Sequence, residues 1–128
     1  MLVPQLAVLA DVALLLLRLT IAAVFATSGW QHATKPKERA VSIGMSPGVT
    51  LVLGVVELLG AASIALGVYA QIGALLLIGV MLGAIGKKVF VWKTGFWGKK
   101  NDGWYYDLLY LVSNLVIATT DGGALTIT

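Results

Sequence analysis

The feature that most constrains this chain is a series of apolar runs, each about long enough to cross a lipid bilayer. They extend over about residues 11–30, 49–70, 72–92 and 104–120. A helix needs about 20 apolar residues to cross the hydrocarbon core, whereas soluble domains keep such residues in short periodic clusters. Hydrophobic residues make up 59% of the 128 residues and charged ones only 12%, which excludes a soluble domain. We therefore predict an all-α membrane protein, a single four-helix transmembrane domain over residues 1–128.

The basic residues predict the orientation of this bundle. All but one of them lie between the first and second runs, or near the end of the third run and in the segment after it, at Lys35, Lys37, Arg39, Lys87, Lys88, Lys93, Lys99 and Lys100. Basic loops stay on the cytoplasmic side. The pattern predicts a multi-pass protein of the inner (plasma) membrane, with both odd loops in the cytoplasm and both termini outside. Because topology accounts for the basic residues, we expect no nucleic-acid partner.

Three polar residues lie deep inside the apolar runs: Arg18, Glu57 and Asn114. Charges at such depths are costly and usually face the interior of a bundle, where they pair. Counted from the ends of their runs, all three lie near the midplane, so we predict a salt bridge between Arg18 and Glu57, with Asn114 nearby. Two interpretations stay open. The cluster is either a structural clasp, or a polar pocket for a quinone headgroup, a proton or a small polar molecule.

Three further residues lie where the runs meet the loops and are candidates for proton entry or for the interface. Asp107, in the first turn of the last run, either stabilises the helix N-terminus or admits protons. His32 follows the first run, as an interfacial polar residue or a titrating switch. Tyr106 belongs to an aromatic cluster beside the second basic loop, of the kind that anchors helices at the interface. No catalytic residue is identifiable from these patterns.

The residue inventory limits the chemistry. The chain has no cysteine and one histidine, so we expect neither thiol chemistry nor a metal site. A redox role would therefore need an organic cofactor, such as a quinone, or a partner subunit that supplies electrons. The pair Gly79 and Gly83 has the GxxxG spacing of close helix contacts, which favours a tight bundle or a homodimer.

Several short motifs resemble those of the DoxX family of small membrane proteins. They are Leu16-Leu17-Arg18-Leu19, Glu57-Leu58-Leu59-Gly60, Gly103-Trp104-Tyr105-Tyr106 and Asp121-Gly122-Gly123. The resemblance implies a four-helix bundle and an association with quinone-linked sulfur oxidation or redox defence. Two positions depart from the family pattern: Ser28 stands where members often have histidine, and Tyr105 where they often have an acidic residue. If those positions transfer protons in relatives, this chain has lost that route or moved it to His32 and Asp107.

We therefore hypothesise a quinone-facing or accessory subunit of a membrane redox system, without catalysis of its own. One alternative is a small proton-coupled transporter of organic molecules. A salt bridge to Arg18 would count against transport, because it would keep Glu57 ionised. A structural scaffold is the third alternative.

Overall fold

The described part of the chain folds entirely into helices joined by short connections. The computed structural model describes residues 2–98 and 103–127, so the predicted loop residues Lys99 and Lys100 lie outside the described residues. A short 3₁₀ helix, Pro4–Leu9, precedes the first α-helix, and a π-helical turn, Lys87–Val91, continues the fourth. The α-helices of the described residues are α1 (Ala10–Thr34), α2 (Pro36–Ile43), α3 (Pro47–Leu66), α4 (Ala70–Gly86) and α5 (Tyr105–Thr120). The all-helical prediction is confirmed for this part of the chain.

Within the described ranges, three helical segments are long and apolar enough to cross a membrane. They are Pro4–Thr34, Pro47–Leu66 and Ala70–Val91. The fifth helix, α5, has 16 residues and is shorter than these segments. Large apolar side chains cover the outer faces of the segments; Leu16, Val52 and Leu75 are among those exposed. Such surfaces suit lipid and are rare on soluble proteins.

The helix ends differ in places from those expected from the sequence. Helix α1 continues to Thr34, and α3 begins at Pro47, where the Ser46 side chain accepts a hydrogen bond from the Val49 amide. Helix α3 ends at Leu66 because Gly67 takes a left-handed conformation with φ of 70°. A side chain at this glycine would lie 2.6 Å from Thr126. The amphipathic helix α2 was not predicted.

Glycines set how closely the helices approach. Helix α3 packs between α1 and α4, and α5 packs against α4 and, less extensively, against α1. Where α1 crosses α3, a Cβ on Gly29 would lie 2.8 Å from the Gly54 carbonyl oxygen. Where α3 crosses α4, a Cβ on Gly73 would lie 2.5 Å from the Ser63 hydroxyl. The apolar core between the helices includes Ile21, Phe25, Ile64, Leu77, Met81 and Ile117.

Candidate functional site

Arg18 does not contact Glu57, so the predicted salt bridge is wrong. The Arg18 side chain is only 1% exposed and points toward the end of the bundle where α3 turns into α4. There it binds carbonyls of the last turn of α3, which lack partners in their own helix, and carbonyls of the segment after α5; the end of a helix is a favourable position for a cation. Its guanidinium donates four hydrogen bonds: Nε to Ile64 O at 2.8 Å, Nη2 to Ala65 O at 3.2 Å, and Nη1 to Gly122 O at 3.2 Å and Leu125 O at 2.7 Å.

The pairing fails because Arg18 and Glu57 lie at different depths. Arg18 is sixteen positions from the end of α1, or about 24 Å along the helix axis, whereas Glu57 is ten positions from the start of α3, or about 15 Å. The sequence-based count ended the first helix at Trp30, four residues before its observed end at Thr34. Because α3 also begins two residues earlier than expected, at Pro47, the difference in depth rises from about 6 Å in the sequence-based count to about 9 Å in the structure.

Glu57 instead pairs with His32 across the contact between α1 and α3. His32 Nδ1 lies 3.1 Å from Glu57 Oε2, and the two residues are 5% and 2% exposed. His32 is therefore buried inside the last turn of α1 and does not follow the helix end, while its role at the interface or as a titrating switch stays a prediction. When Glu57 is ionised its carboxylate can only accept hydrogen bonds, so in that state Nδ1 carries the hydrogen of this contact. Among the described residues, His32 Nε2 has no hydrogen-bond partner although it is buried.

Asp107 pairs with Lys88, a residue near the end of the third apolar run that was not predicted to belong to a site. Lys88 Nζ lies 2.8 Å from Asp107 Oδ2, and the two residues are 8% and 4% exposed. The ammonium also donates to the Tyr106 hydroxyl and lies 3.9 Å from the centre of the Tyr106 ring. Asp107 is thus buried against the π turn after α4 and not at the surface, because the π turn carries Lys88 back over the first turn of α5.

These two ion pairs line one cavity of about 450 Å³ between the helices, at the end of the bundle where α2 lies. The volume is within the range of small-molecule sites. Its polar lining residues are Ser28, His32, Arg39, Glu57, Lys87, Lys88, Tyr106 and Asp107. The rest of the lining is largely apolar and includes Val24, Phe25, Leu53, Val80, Met81, Ala84 and Tyr110. An apolar chamber with a few convergent polar groups is the usual form of a ligand site.

Asn114 lies apart from this cavity. It is fully buried in α5, and its side-chain Nδ2 donates to the Tyr110 carbonyl oxygen at 2.9 Å. Arg18 and Asn114 are not among the described residues that line the cavity, whereas Glu57 is. The three residues expected to form one polar core therefore lie in separate places.

The chain was also compared with known proteins. A family model described as DoxX matches residues 13–92, more than half of the chain. The chain belongs to the DoxX family. In this DoxX protein the matched segment runs from the start of α1 to the end of the π turn, and α5 follows it. A search of curated proteins found no match, and a search of solved structures also found none.

One signal in this DoxX sequence could have shown that His32 is buried. Arg18, Phe25 and His32 are separated by seven positions each, so they share one face of α1. Their burial confirms that this face points inward. Ser28, one of the departures from the family pattern, lies one turn before His32 on the same helix, with its hydroxyl 3.4 Å from Nδ1. A titratable group is therefore present one turn away from the position where relatives often have histidine.

The other site residues had no such signal. The pairing of Lys88 with Asp107 depends on a π turn, which nothing in the local sequence marks. The contribution of Arg39 to the cavity depends on α2, which brings the segment after α1 back over the helix ends. The pairing across the π turn and the placement of α2 are both consequences of tertiary structure.

Proposed function

We propose that this DoxX protein is a quinone-facing accessory subunit of a membrane redox system, and that the cavity holds the quinone headgroup. The observation that carries the proposal is the buried His32 imidazole in an apolar chamber, with Nδ1 held by Glu57 and Nε2 without a partner among the described residues. Buried polar atoms normally have partners. A ligand that forms a hydrogen bond with His32 Nε2 would remove the free-energy cost of burying this atom without a partner. The quinone-linked role implied by the family resemblance agrees with this assignment.

The cavity residues fit a quinone in both of its redox states. A bound quinone would exchange two electrons and two protons. A neutral His32, with its hydrogen on Nδ1, accepts a hydrogen bond at Nε2 and so suits a quinol hydroxyl, whereas the protonated imidazole donates from Nε2 and suits a quinone carbonyl. The contact between Nδ1 and Glu57 helps to fix the orientation of the ring. Phe25 and Met81 would pack against the ring. Electrons would come from a partner subunit.

Quinone binding can be measured through Trp92, which lines the cavity. Decylubiquinone added to the purified protein in nanodiscs should quench tryptophan fluorescence saturably. The variant His32→Asn keeps an amide donor near the position of Nδ1 and removes Nε2. We expect it to fold as the wild type does and to bind about tenfold more weakly, the loss of one hydrogen bond. A Trp92→Phe variant should lose most of the signal.

Quenching that does not saturate, or that is equal in the wild type and His32→Asn, would refute this assignment. The matched control is Asn114→Leu, which changes a buried polar residue outside the cavity. We expect it to leave quinone affinity unchanged. A quinone recovered from lipid extracts of the wild type, together with an oxidoreductase subunit that co-purifies with it, would support the redox role.

The topology belongs to the same proposal. We propose that α5 is a fourth membrane span and that the end carrying α2 and the π turn faces the cytoplasm of the inner membrane, because basic segments stay on that side. The chain has no cysteine, so the variant Lys37→Cys, at an exposed position of α2, reports orientation cleanly. An impermeant thiol reagent should label it in inverted vesicles and not in intact cells.

A second candidate function is a proton-coupled transporter, and one specific observation favours it. Arg18 does not neutralise Glu57, so the charge that argued against proton exchange is absent from the cavity. The carboxylate pairs instead with a titratable imidazole. Proton-driven uptake of an organic cation into proteoliposomes, lost in Glu57→Gln and without any quinone affinity in the wild type, would favour transport over the redox role.

A further inference from the structure

Two glycines of α4 border the cavity and are open to the outside. Gly79 and Gly83 line the cavity and are both exposed. A Cβ added at either one would meet no neighbouring atom within 4 Å among the described residues. Near the turn between α3 and α4 the situation is the opposite, since a Cβ on Gly60 would lie 2.8 Å from the Leu77 side chain. The two helices thus touch closely near their turn and leave open space on the α4 side of the cavity.

This open side lies at the depth of the lipid chains. Gly79 and Gly83 are nine and thirteen positions from the start of α4, or about 14 and 20 Å along a segment that extends for about 33 Å. Both positions are therefore well inside a hydrocarbon core of about 30 Å. An opening at this depth leads to lipid and not to water.

We propose that the cavity is entered sideways from the bilayer, through an opening bordered by Gly79 and Gly83, by an uncharged lipid-soluble ligand. The inference rests on the proposed function of the cavity and adds the route of its ligand. Because neither glycine has a side chain, the opening between them is wide enough for a ring to enter. Leu53 of α3 lines the same cavity and is apolar, which suits passage of an uncharged molecule.

Within the part of the chain that the structure describes, the interior of the cavity offers no free carboxylate to a cationic ligand. Its two carboxylates already have partners, Glu57 with His32 and Asp107 with Lys88. A ligand arriving from lipid would find a hydrogen-bonding atom, His32 Nε2, that has no partner among the described residues. The unpartnered atom inside and the glycine-bordered opening are independent observations that point to the same class of ligand.

The absence of native cysteine allows a direct test in proteoliposomes. The variant Ser28→Cys places one thiol on the cavity wall, and Leu75→Cys places one on the exposed outer face of α4. Each is labelled with pyrene maleimide, which partitions into lipid, and with a charged methanethiosulfonate, which does not. The opening is then closed with Gly83→Leu. Gly86→Leu is the matched control, because Gly86 is also on α4 with open space at its Cβ but does not line the cavity.

In the Ser28→Cys background, we expect Gly83→Leu to slow the reaction with pyrene maleimide at least about fivefold. The leucine side chain would occupy the opening that the glycine leaves. Gly86→Leu should leave that rate unchanged, and neither leucine should alter the labelling of Leu75→Cys. Equal slowing by both leucines, or faster labelling of Ser28→Cys by the charged reagent, would overturn the proposal. The proposal would also be overturned if the wild type were a dimer, Gly83→Leu made it a monomer, and Ser28→Cys still reacted with pyrene maleimide at the original rate. The glycines would then serve contact between two copies of the chain.

This readout contains no quinone, so it separates the two proposals. If labelling behaves as expected but decylubiquinone does not bind, the lateral opening stands and the ligand is another lipid-soluble molecule. If decylubiquinone binds and Gly83→Leu changes neither labelling nor the rate of quinone association, the site stands and the lateral route is wrong.

Discussion

The separation of Arg18 from Glu57 predicts the result of a double-mutant cycle. Arg18→Met removes four charge-assisted hydrogen bonds to backbone carbonyls. At the lower end of the range for such bonds they contribute about 6 kcal/mol. The cost of keeping an arginine in hydrocarbon, about 3 kcal/mol, falls away in the variant and offsets about half of this. We therefore expect the free energy of unfolding to fall by about 3 kcal/mol.

The cycle combines Arg18→Met with Glu57→Gln and measures reversible unfolding by sodium dodecyl sulfate in bicelles, followed by circular dichroism. Because the two side chains share no contact, their effects should add to within about 0.5 kcal/mol. A buried salt bridge between them would couple them much more strongly, since breaking such a pair costs about 3 to 5 kcal/mol. The cycle of His32→Ala with Glu57→Gln is the positive control. A coupling energy above about 1 kcal/mol between Arg18 and Glu57 would refute the arrangement described here.

Three further outcomes follow from the packing of the bundle. Lys88→Met and Asp107→Leu should each lower the unfolding free energy by about 3 kcal/mol, and the double variant by less than their sum, because each single change breaks the same buried ion pair; the same unfolding assay measures this. Gly54→Ala should lower the melting temperature, because its Cβ would lie 2.6 Å from backbone in α1, whereas Gly48→Ala, with open space around it, should not. Asn114→Leu should change stability by less than about 1.5 kcal/mol, since it removes one local hydrogen bond and an unpartnered oxygen together; a loss of more than about 3 kcal/mol would indicate a partner outside the described residues.

The sequence was sufficient for the class of fold because hydrophobic run length is a local property. The apolar runs predicted helices that are found, and the motifs around Arg18 and Glu57 led to the family that the comparison confirms. Burial of both charges also followed from their chemistry, because neither can face lipid cheaply. These conclusions required no knowledge of which helices touch.

The partners of those charges could not be predicted, because they depend on how the helices are shifted along one another. An error of four residues at the end of α1 displaces its side chains by about 6 Å, more than the reach of a hydrogen bond. The shift is fixed by Gly29, whose Cβ would lie 3.0 Å from the Glu57 Cβ and which therefore holds that carboxylate near the last turns of α1. A glycine contact of this kind sets the register, and single-sequence patterns do not reveal its partner.

The observed register gives the two buried charges different roles. Arg18 donates four hydrogen bonds to carbonyls at the turn end, so it holds the end of α3 and the C-terminal segment together. Glu57 keeps a single titratable partner, His32, and both line a cavity. A carboxylate locked to an arginine could not exchange protons readily, whereas one bonded to an imidazole can respond when a ligand reaches the free nitrogen of that ring. Both candidate functions need a carboxylate that can exchange protons. The quinone-facing subunit and the transporter differ in the ligand that would contact His32 Nε2. The affinity of His32→Asn for decylubiquinone and the uptake activity of Glu57→Gln are therefore the measurements that separate the two functions.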